Sequence, residues 1–165
     1  MNLKKLLLDE NLSKLEGSYL LDFSENKKHY SNSFFEEYKR HPLIQFDSFN
    51  KLNLNKDRFY NNSKWKKEDL DGKYLLEVGS GAGKFTEILL QTKANIVTID
   101  SSDSIKINHK NNFKRNINNV YFIKTNANEN IFKNNVFDFV VLYGVLQNVD
   151  NQKKIIQNCV SYLKK

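Results

Sequence analysis

The sequence predicts an α/β fold in which helices cover both faces of a parallel, doubly wound β-sheet. Three observations support this prediction: short apolar runs alternate with helix-forming stretches, a glycine-rich turn follows one of these runs, and the next run ends in an acidic residue. In folds of this kind the strands are joined by right-handed helical crossovers, and ligands bind beyond the carboxyl ends of the strands. The length of 165 residues suits one domain with a hydrophobic core.

Residues 1–69 are predicted to be a helical or irregular extension that could act as a lid over the core formed by residues 70–165. Apolar spacing predicts an amphipathic helix over residues 1–15. A short strand is expected at residues 19–23 and a further helix at residues 34–40. The aromatic stretch of Arg58, Phe59 and Trp65 has two equal interpretations: it folds over a ligand, or it packs a helix against the sheet.

The first core strand and its turn form the most informative stretch of the chain. Tyr74–Val78 is an apolar run of strand length, and glycines follow at positions 79, 81 and 83. From Phe85 onwards the apolar residues are spaced as on one face of a helix. Glycine permits positive φ and lets a ligand approach the backbone, while the helix that follows offers free N–H groups. The sequence therefore predicts a strand, a ligand-binding loop and a helix.

The spacing of these glycines distinguishes between classes of ligand. A dinucleotide-binding loop has the pattern G-x-G-x-x-G, and Lys84 stands where its third glycine belongs. The observed pattern is Glu77-x-Gly79-x-Gly81-x-Gly83 instead. A nucleotide-dependent oxidoreductase is therefore disfavoured, whereas a structural or phosphate-binding turn stays open as the simpler alternative.

The second strand, Asn95–Asp100, ends in a carboxylate about 20 positions beyond the glycine loop. A carboxylate at that place can accept hydrogen bonds from both ribose hydroxyls, and the alternative is a cap for the helix that begins near Ser104. A third strand is expected at Val120–Lys124 and a fourth at residues 137–143, where only Asp138 interrupts the apolar run. The closing helix carries one apolar stripe, made of Ile155, Ile156, Cys159, Val160 and Leu163.

Composition and charge narrow the possible partners and compartments. The net charge is +7 and the pI about 9.3, but the lysines are spread along the chain without a dense basic block, so a nucleic-acid partner is disfavoured. The single cysteine, Cys159, fits a packing position and a reducing compartment. No stretch has the length of a membrane span, and a cytoplasmic location is predicted. His29, His41 and His109 show no metal-binding spacing, and no metal site is expected.

Taken together, these motifs resemble the class I methyltransferases that use S-adenosylmethionine, and in particular the type-11-like subgroup of small-molecule and sugar-modifying pathways. The resemblance runs from about Tyr30 to Leu163. It rests on the segments Gln45-Phe46-Asp47, Arg58-Phe59, Trp65, Leu70-Asp71-Gly72-Lys73, residues 76–87, Asp100-Ser101-Ser102, Phe137-Asp138 and residues 144–147. It implies a Rossmann-like core, an S-adenosyl-L-methionine cofactor and methyl transfer to a small-molecule or sugar-type acceptor.

The resemblance also implies roles for particular residues. Glu77 and the loop from Gly79 to Gly83 would hold the amino-acid part of the cofactor, and Asp100 would bind the ribose. Asn126 would accept a hydrogen bond from the adenine amine, while Tyr143 and Gly144 would border the sulfonium. The complete expected cofactor site is Glu77, Gly79, Ser80, Gly81, Gly83, Asp100, Ser101, Asn126, Ala127, Tyr143 and Gly144. No catalytic side chain and no metal ligand are implied.

Two departures from the family pattern at the expected site, together with the number of strands described below, favour a second function. Asn126 replaces the usual aspartate, so the adenine contact would lack charge. Gln147 and Asn148 replace a histidine-containing pair, so no general base is expected there. No Asp/Asn-Pro-Pro-Tyr motif follows the fourth strand, which disfavours amino-methylation of nucleic-acid bases. The alternative is a non-catalytic or degenerate module that binds S-adenosylmethionine without turnover.

The number of strands is a further departure. Relatives of this kind typically have seven strands, and the sequence printed here ends at Lys165, about where a fifth core strand is expected. An incomplete core of about four strands is therefore predicted. The outer edge of the fourth strand would be blocked by residues 19–23, paired with another chain, or left open.

Overall fold

A computed structural model describes residues 1–8, 19–24, 32–113 and 119–165 of the chain. Its single sheet has the strand order β1-β4-β3-β2-β5, with every neighbouring pair parallel. The strands are β1 (Leu20–Asp22), β2 (Tyr74–Val78), β3 (Asn95–Asp100), β4 (Val120–Lys124) and β5 (Phe139–Leu142). The α-helices are α1 (Asn32–Arg40), α2 (Asp47–Asn50), α3 (Leu54–Ser63), α4 (Lys84–Leu89), α5 (Ser104–Asn112) and α6 (Gln152–Tyr162). Short 3₁₀ turns lie at Leu3–Lys5, Lys67–Leu70 and Leu146–Asn148.

The central strands are apolar on both faces because helices cover the sheet on both sides. Along β2, Leu75 and Leu76 are both fully buried, yet they point to opposite faces and belong to two separate cores. The Leu76 side is covered by α6 and by the N-terminal leucines, and the Leu75 side by α3, α4 and α5. The predicted doubly wound, Rossmann-like α/β architecture is therefore confirmed.

The strand register places the carboxyl ends of β2, β3 and β5 side by side at one edge of the sheet. Val78 at the end of β2 pairs with Ile99 of β3 on one side and with Leu142 of β5 on the other. The residues that follow these strands, including the glycine loop and Asp100, consequently leave the sheet at the same edge.

The predicted bounds of β2, β3 and β4 are confirmed, whereas β5 is shorter than the predicted residues 137–143. Asp138 meets β2 through its side chain as well as its backbone: its carboxylate accepts the N–H of Tyr74 and its N–H donates to Tyr74 O, both at 2.8 Å, and the regular strand register begins at Phe139. On the other side, Phe137 bonds to the backbone of Tyr162 and Lys164. These contacts take up the backbone groups that a longer strand would need.

The fifth strand comes from the N-terminal segment, and it corrects the expectation of about four strands. Residues 19–23 were one candidate to block the outer edge of β5, but β1 pairs with β4 at the opposite end of the sheet. Among the described residues, the outer side of Phe139–Leu142 has no strand partner. Pairing of this edge with another chain stays a prediction.

The N-terminal helix predicted over residues 1–15 is wrong for the part that the structure describes, and residues 9–18 lie outside that part. Only Leu3–Lys5 forms a 3₁₀ turn. The N–H of Leu8 donates to Ile131 O and the carbonyl of Leu6 accepts from Lys133, so neither group is available to a helix. Leu3, Leu6 and Leu7, which belong to the apolar pattern of this stretch, are nevertheless buried.

The aromatic stretch before β2 packs a helix on the sheet, which decides between its two interpretations. Phe59 is fully buried and meets Trp65 edge-on at a centroid distance of 6.0 Å. Trp65 in turn lies 4.6 Å from the ring of Phe139. Neither aromatic residue folds over the ligand-binding edge.

Cys159 is buried among apolar side chains, as predicted, and burial raises the pKa of its thiol to about 11. No helix within the described ranges combines the length and apolarity needed to cross a bilayer. The described residues also contain no cluster of metal-binding side chains.

Removing the ring of Phe137 tests the core beneath α6. Phe137 is fully buried and packs edge-on against Phe132 at 5.1 Å. We expect Phe137→Ala to lower the free energy of unfolding by about 3–5 kcal/mol, because it leaves a cavity. The matched control is Phe49→Ala, since Phe49 is 60% exposed, and a change within about 0.5 kcal/mol is expected there. Urea unfolding measures both, and equal effects would contradict this description of the core.

Candidate functional site

The glycine loop between β2 and α4 has the backbone conformation that its sequence predicts. Gly79, Gly81 and Gly83 have φ values of 72°, 55° and 97°. The N–H groups of Gly79 and Ser80 both donate to the carbonyl of Ile99, at 2.8 and 3.1 Å. The start of the loop is thereby fixed to β3, and the rest of it turns over the edge of the sheet.

Asp100 joins the end of β3 to this loop. Its Oδ2 accepts the backbone N–H of Gly81 at 2.8 Å. Its Oδ1 accepts both the N–H and the hydroxyl of Ser102, at 2.9 and 2.6 Å. A carboxylate has about four accepting positions, so three are already used within the chain. Asp100 therefore both shapes the loop and retains room for one ligand hydroxyl.

Glu77 lies behind the loop and not on the open side where a ligand would be held. It is buried, and its Oε2 accepts the hydroxyl of Thr86 at 2.6 Å. Thr86 in turn accepts the side-chain amide of Asn108 at 2.8 Å. Burial raises the pKa of Glu77 to about 7, although the hydrogen bonds from Thr86 and Thr98 act in the opposite direction.

The same network supports Gly83. The amide of Asn112 donates to the carbonyl of Gly83 at 3.1 Å and to Asn108 Oδ1 at 2.8 Å. A Cβ on Gly83 would collide with the side chain of Asn108. Gly83 is therefore required for packing of the loop against α5, and it lies outside the cavity.

A cavity of about 170 Å³ opens beside the loop. Of the predicted site residues, those on its wall are Gly79, Gly81, Asp100, Ser101, Asn126, Ala127 and Gly144. Those that the structure places elsewhere are Glu77, Ser80, Gly83 and Tyr143. Most of the predicted residues thus converge on one space, although the sequence distributes them over 66 positions from Gly79 to Gly144.

Tyr143 turns to the other face of the sheet. Its ring stacks on Phe85 at a centroid distance of 4.6 Å, and its hydroxyl donates to Phe59 O at 3.3 Å. The next residue, Gly144, lies on the cavity wall, and neighbouring residues of an extended chain point to opposite sides. Tyr143 therefore packs against α4, the helix that follows the glycine loop, on the side away from the cavity.

Asn126 follows β4 in the chain and lies on the cavity wall. Its Oδ1 accepts the backbone N–H of Asn128 at 2.9 Å. An amide oxygen has a second lone pair, so an exocyclic amine could still donate to it. The aspartate-to-asparagine difference thus leaves an acceptor without a charge.

Several cavity residues were not predicted from the sequence. They are Phe34, Tyr38, Val78, Ile99, Ser102, Ser104, Thr125, Val145, Asn148 and Val149. Half of them are direct neighbours of predicted site residues and could have been found by extending the predicted set by one position: Val78, Ile99, Ser102, Thr125 and Val145. Phe34 and Tyr38 come from α1, where only their separation of four residues, which places them on one helix face, gave a signal.

The cavity has the features that a nucleoside-bearing cofactor requires. Gly81 faces it without a side chain, and a Cβ there would lie 3.2 Å from the Tyr38 ring. Asp100 supplies an acceptor for a hydroxyl, and Asn126 supplies one for an amine. The residues present therefore fit a nucleoside with a polar extension along the glycine loop.

An α/β protein with such a loop, and with an acid at the end of the next strand, is of the class that binds nucleoside cofactors at the carboxyl edge of a sheet. Comparison of the sequence with protein families specifies the class further. A family described as a methyltransferase domain matches residues 76–165, which is more than half of the chain. The chain belongs to this methyltransferase-domain family. No curated protein matches the sequence.

Solved structures show the same fold. A protein from Methanococcus maripaludis assigned as an S-adenosyl-L-methionine-dependent methyltransferase is 19% identical with a TM-score of 0.59, over 87% of this chain and 64% of its own. Phosphoethanolamine N-methyltransferase 1 of Haemonchus contortus, solved with phosphoethanolamine and S-adenosylhomocysteine, is 20% identical with a TM-score of 0.60, over 81% of this chain and 29% of its own. The [4+2]-cyclase SpnF is 22% identical with a TM-score of 0.59, over 66% of this chain and 41% of its own. The present chain thus spans less than two thirds of each of these proteins.

The buried carboxyl of Glu77 predicts a specific pH dependence of stability. Because its pKa rises from 4.5 to about 7 on folding, the folded state binds this proton more tightly than the unfolded chain. Raising the pH from about 4.5 to about 7 should therefore lower the free energy of unfolding, by up to about 3 kcal/mol. Glu77→Gln keeps an acceptor for Thr86 and removes this slope.

Urea unfolding of both proteins at several pH values measures the effect. The difference between the two curves isolates Glu77 from other titrating groups. Parallel curves between pH 4.5 and 7 would show that Glu77 is not held as the neutral acid.

Proposed function

We propose that this chain binds S-adenosyl-L-methionine and serves methyl transfer to a small-molecule or sugar-type acceptor. The observation that carries the proposal is the convergence of the glycine loop and Asp100 on one cavity, joined by the 2.8 Å bond from the Gly81 N–H. When bound, the cofactor supplies an electrophilic methyl group on a sulfonium. The residues of the chain bind and orient it.

Each wall of the cavity has a chemical counterpart in the cofactor. The backbone at Gly79 and Gly81 suits the amino-acid part, because these residues carry no side chain of their own and both line the cavity. Asp100 suits a ribose hydroxyl through its remaining accepting position. Asn126 and Ala127 suit the adenine, with the Asn126 oxygen as acceptor for the amine.

The lining of the cavity limits the kind of acceptor. Among the described residues that line it, only Tyr38 and Asp100 are titratable, and neither Lys nor Arg is present. Asp100 is engaged by Gly81 and Ser102, so it is not free to remove a proton. We therefore infer an acceptor that needs little help in deprotonation and is not recognised through phosphate groups. A small molecule fits this better than nucleic acid, whose backbone is recognised through its phosphates.

A second candidate function is binding of the cofactor without methyl transfer. Asn148 stands where a histidine-containing pair was expected, and its amide is occupied by a bond to Gly144 O at 3.1 Å. The similarity to SpnF, which is by name a [4+2]-cyclase, shows that the fold is not restricted to methyltransferases. Turnover therefore has to be measured separately from binding.

Isothermal titration with S-adenosylmethionine, S-adenosylhomocysteine and NAD tests the binding step. We expect binding of the first two and none of NAD. Release of S-adenosylhomocysteine in the presence of amine, hydroxyl and sugar acceptors then separates the two candidate functions. Binding of NAD alone would overturn both of them.

A matched pair of glycine variants tests whether the absence of a side chain at Gly81 is needed for ligand binding. Gly72 and Gly81 both have positive φ, at 72° and 55°, so a valine is strained at either position. A Cβ on Gly72 meets nothing within 4 Å, whereas one on Gly81 reaches the Tyr38 ring across the cavity. We expect Gly81→Val to abolish S-adenosylhomocysteine binding and Gly72→Val to leave the dissociation constant within about two-fold.

Thermal unfolding of both glycine variants provides the control for strain. Normal binding by Gly81→Val would show that the loop is only a structural turn. Equal loss of binding in both variants would show that backbone strain causes the effect, and that filling of the cavity does not.

A further inference from the structure

Helix α1 contributes an aromatic wall that faces the glycine loop. Phe34 and Tyr38 are one turn apart and stack at a centroid distance of 6.4 Å. Both line the cavity. From the position that a Cβ would take on Gly81, Tyr38 Cε2 is 3.2 Å away and its hydroxyl oxygen is 3.3 Å away. The phenol therefore lies directly over the backbone of the loop.

Asn111 of α5 fixes the position of this wall. Its amide donates to Pro42 O at 3.0 Å and to Ala82 O at 3.1 Å. One side chain thus joins the segment after α1 to the glycine loop. These bonds hold Pro42, two residues beyond the end of α1, close to Ala82, the residue that follows Gly81.

The surroundings of Tyr38 favour its neutral, hydrogen-donating form. Burial and the nearby carboxylate of Asp100 raise the pKa of the phenol, while the side-chain amide of Gln45 acts in the opposite direction. A neutral phenol keeps one hydroxyl hydrogen that it can donate to an acceptor.

Among the described residues that line the cavity, Asp100 is the one charged acceptor, and its remaining accepting position is the one proposed for a ribose hydroxyl. Asp100 already accepts three hydrogen bonds from Gly81 and Ser102. The N–H groups of the glycine loop are donors and cannot serve. In a ligand laid along the loop, the acceptor nearest to Tyr38 is the carboxylate of the amino-acid part.

We propose that Tyr38 is a binding residue for the amino-acid half of the cofactor, donating its hydroxyl hydrogen to the ligand carboxylate while its ring closes the cavity above Gly81. The inference rests on the proposed function, since it takes S-adenosylmethionine as the ligand. It adds a residue from the N-terminal segment that distinguishes the cofactor from nucleosides that lack the amino acid.

Two ligands and two matched tyrosine variants test this inference. S-adenosylhomocysteine carries the amino-acid part, and 5′-methylthioadenosine lacks it. We expect Tyr38→Phe to weaken S-adenosylhomocysteine binding about ten-fold, as for a lost hydrogen bond to a charged group. Binding of 5′-methylthioadenosine should change less than two-fold, because the ring is retained. Tyr38→Ala should weaken both ligands.

The control is Tyr60→Phe, which removes a hydroxyl from α3 in the same part of the chain. Tyr60 does not line the cavity, and its ring packs edge-on against Phe59 at 5.1 Å. Its hydroxyl makes no hydrogen bond to any residue that the structure describes. Both affinities should remain at the wild-type level in this variant.

Calorimetry with both ligands distinguishes the possible failures. Unchanged or tighter S-adenosylhomocysteine binding by Tyr38→Phe would overturn the inference and show that Tyr38 only covers the cavity. An equal loss for both ligands would also overturn it, because the hydroxyl would then not be specific for the amino-acid part. Failure of the wild-type chain to bind S-adenosylhomocysteine would instead overturn the proposed function itself.

Discussion

The candidate site depends on a single contact, the hydrogen bond from the Gly81 N–H to the carboxylate of Asp100. Parallel pairing of β2 with β3 brings the two residues to the same edge of the sheet, since Val78 and Ile99 are partners in the register. The bond then turns the loop over the end of β3, and the cavity forms between them. A carboxylate at this position is thus a structural element of the loop. The helix-cap alternative is not observed, because the N-cap residue of α5 is Asp103, and the ribose contact stays a prediction.

A layer of buried polar side chains supports the loop from beneath. Glu77, Thr86 and Asn108 form a chain of hydrogen bonds between β2, α4 and α5. Buried polar groups are costly unless they are paired, and here each one bonds to the next. The arrangement keeps these polar side chains off the cavity wall, which Gly79 and Gly81 line. Order in the loop therefore arises from groups that need not touch a ligand at all.

The sequence was sufficient to predict the parts of the molecule that depend on local pattern. The strands β2, β3 and β4 were found because buried parallel strands form continuous apolar runs, and the loop because its glycines are tightly spaced. The parts that depend on distant pairing were missed. The strand at residues 19–23 was predicted, but its place beside β4 was not, and Tyr38 reaches the site only because α1 packs across the loop. Glu77 was assigned to the ligand because its position in the motif does not reveal which way its side chain turns.

The most direct test of this account is a titration of isotope-labelled protein with S-adenosylhomocysteine, followed by nuclear magnetic resonance of backbone and side-chain amides. We expect the largest changes in chemical shift at the backbone amides of Gly79 and Gly81 and at the side-chain amide of Asn126. The buried side-chain amides of Asn108 and Asn112 should be nearly unchanged. Shifts centred away from the cavity, or no shifts at millimolar ligand, would contradict it.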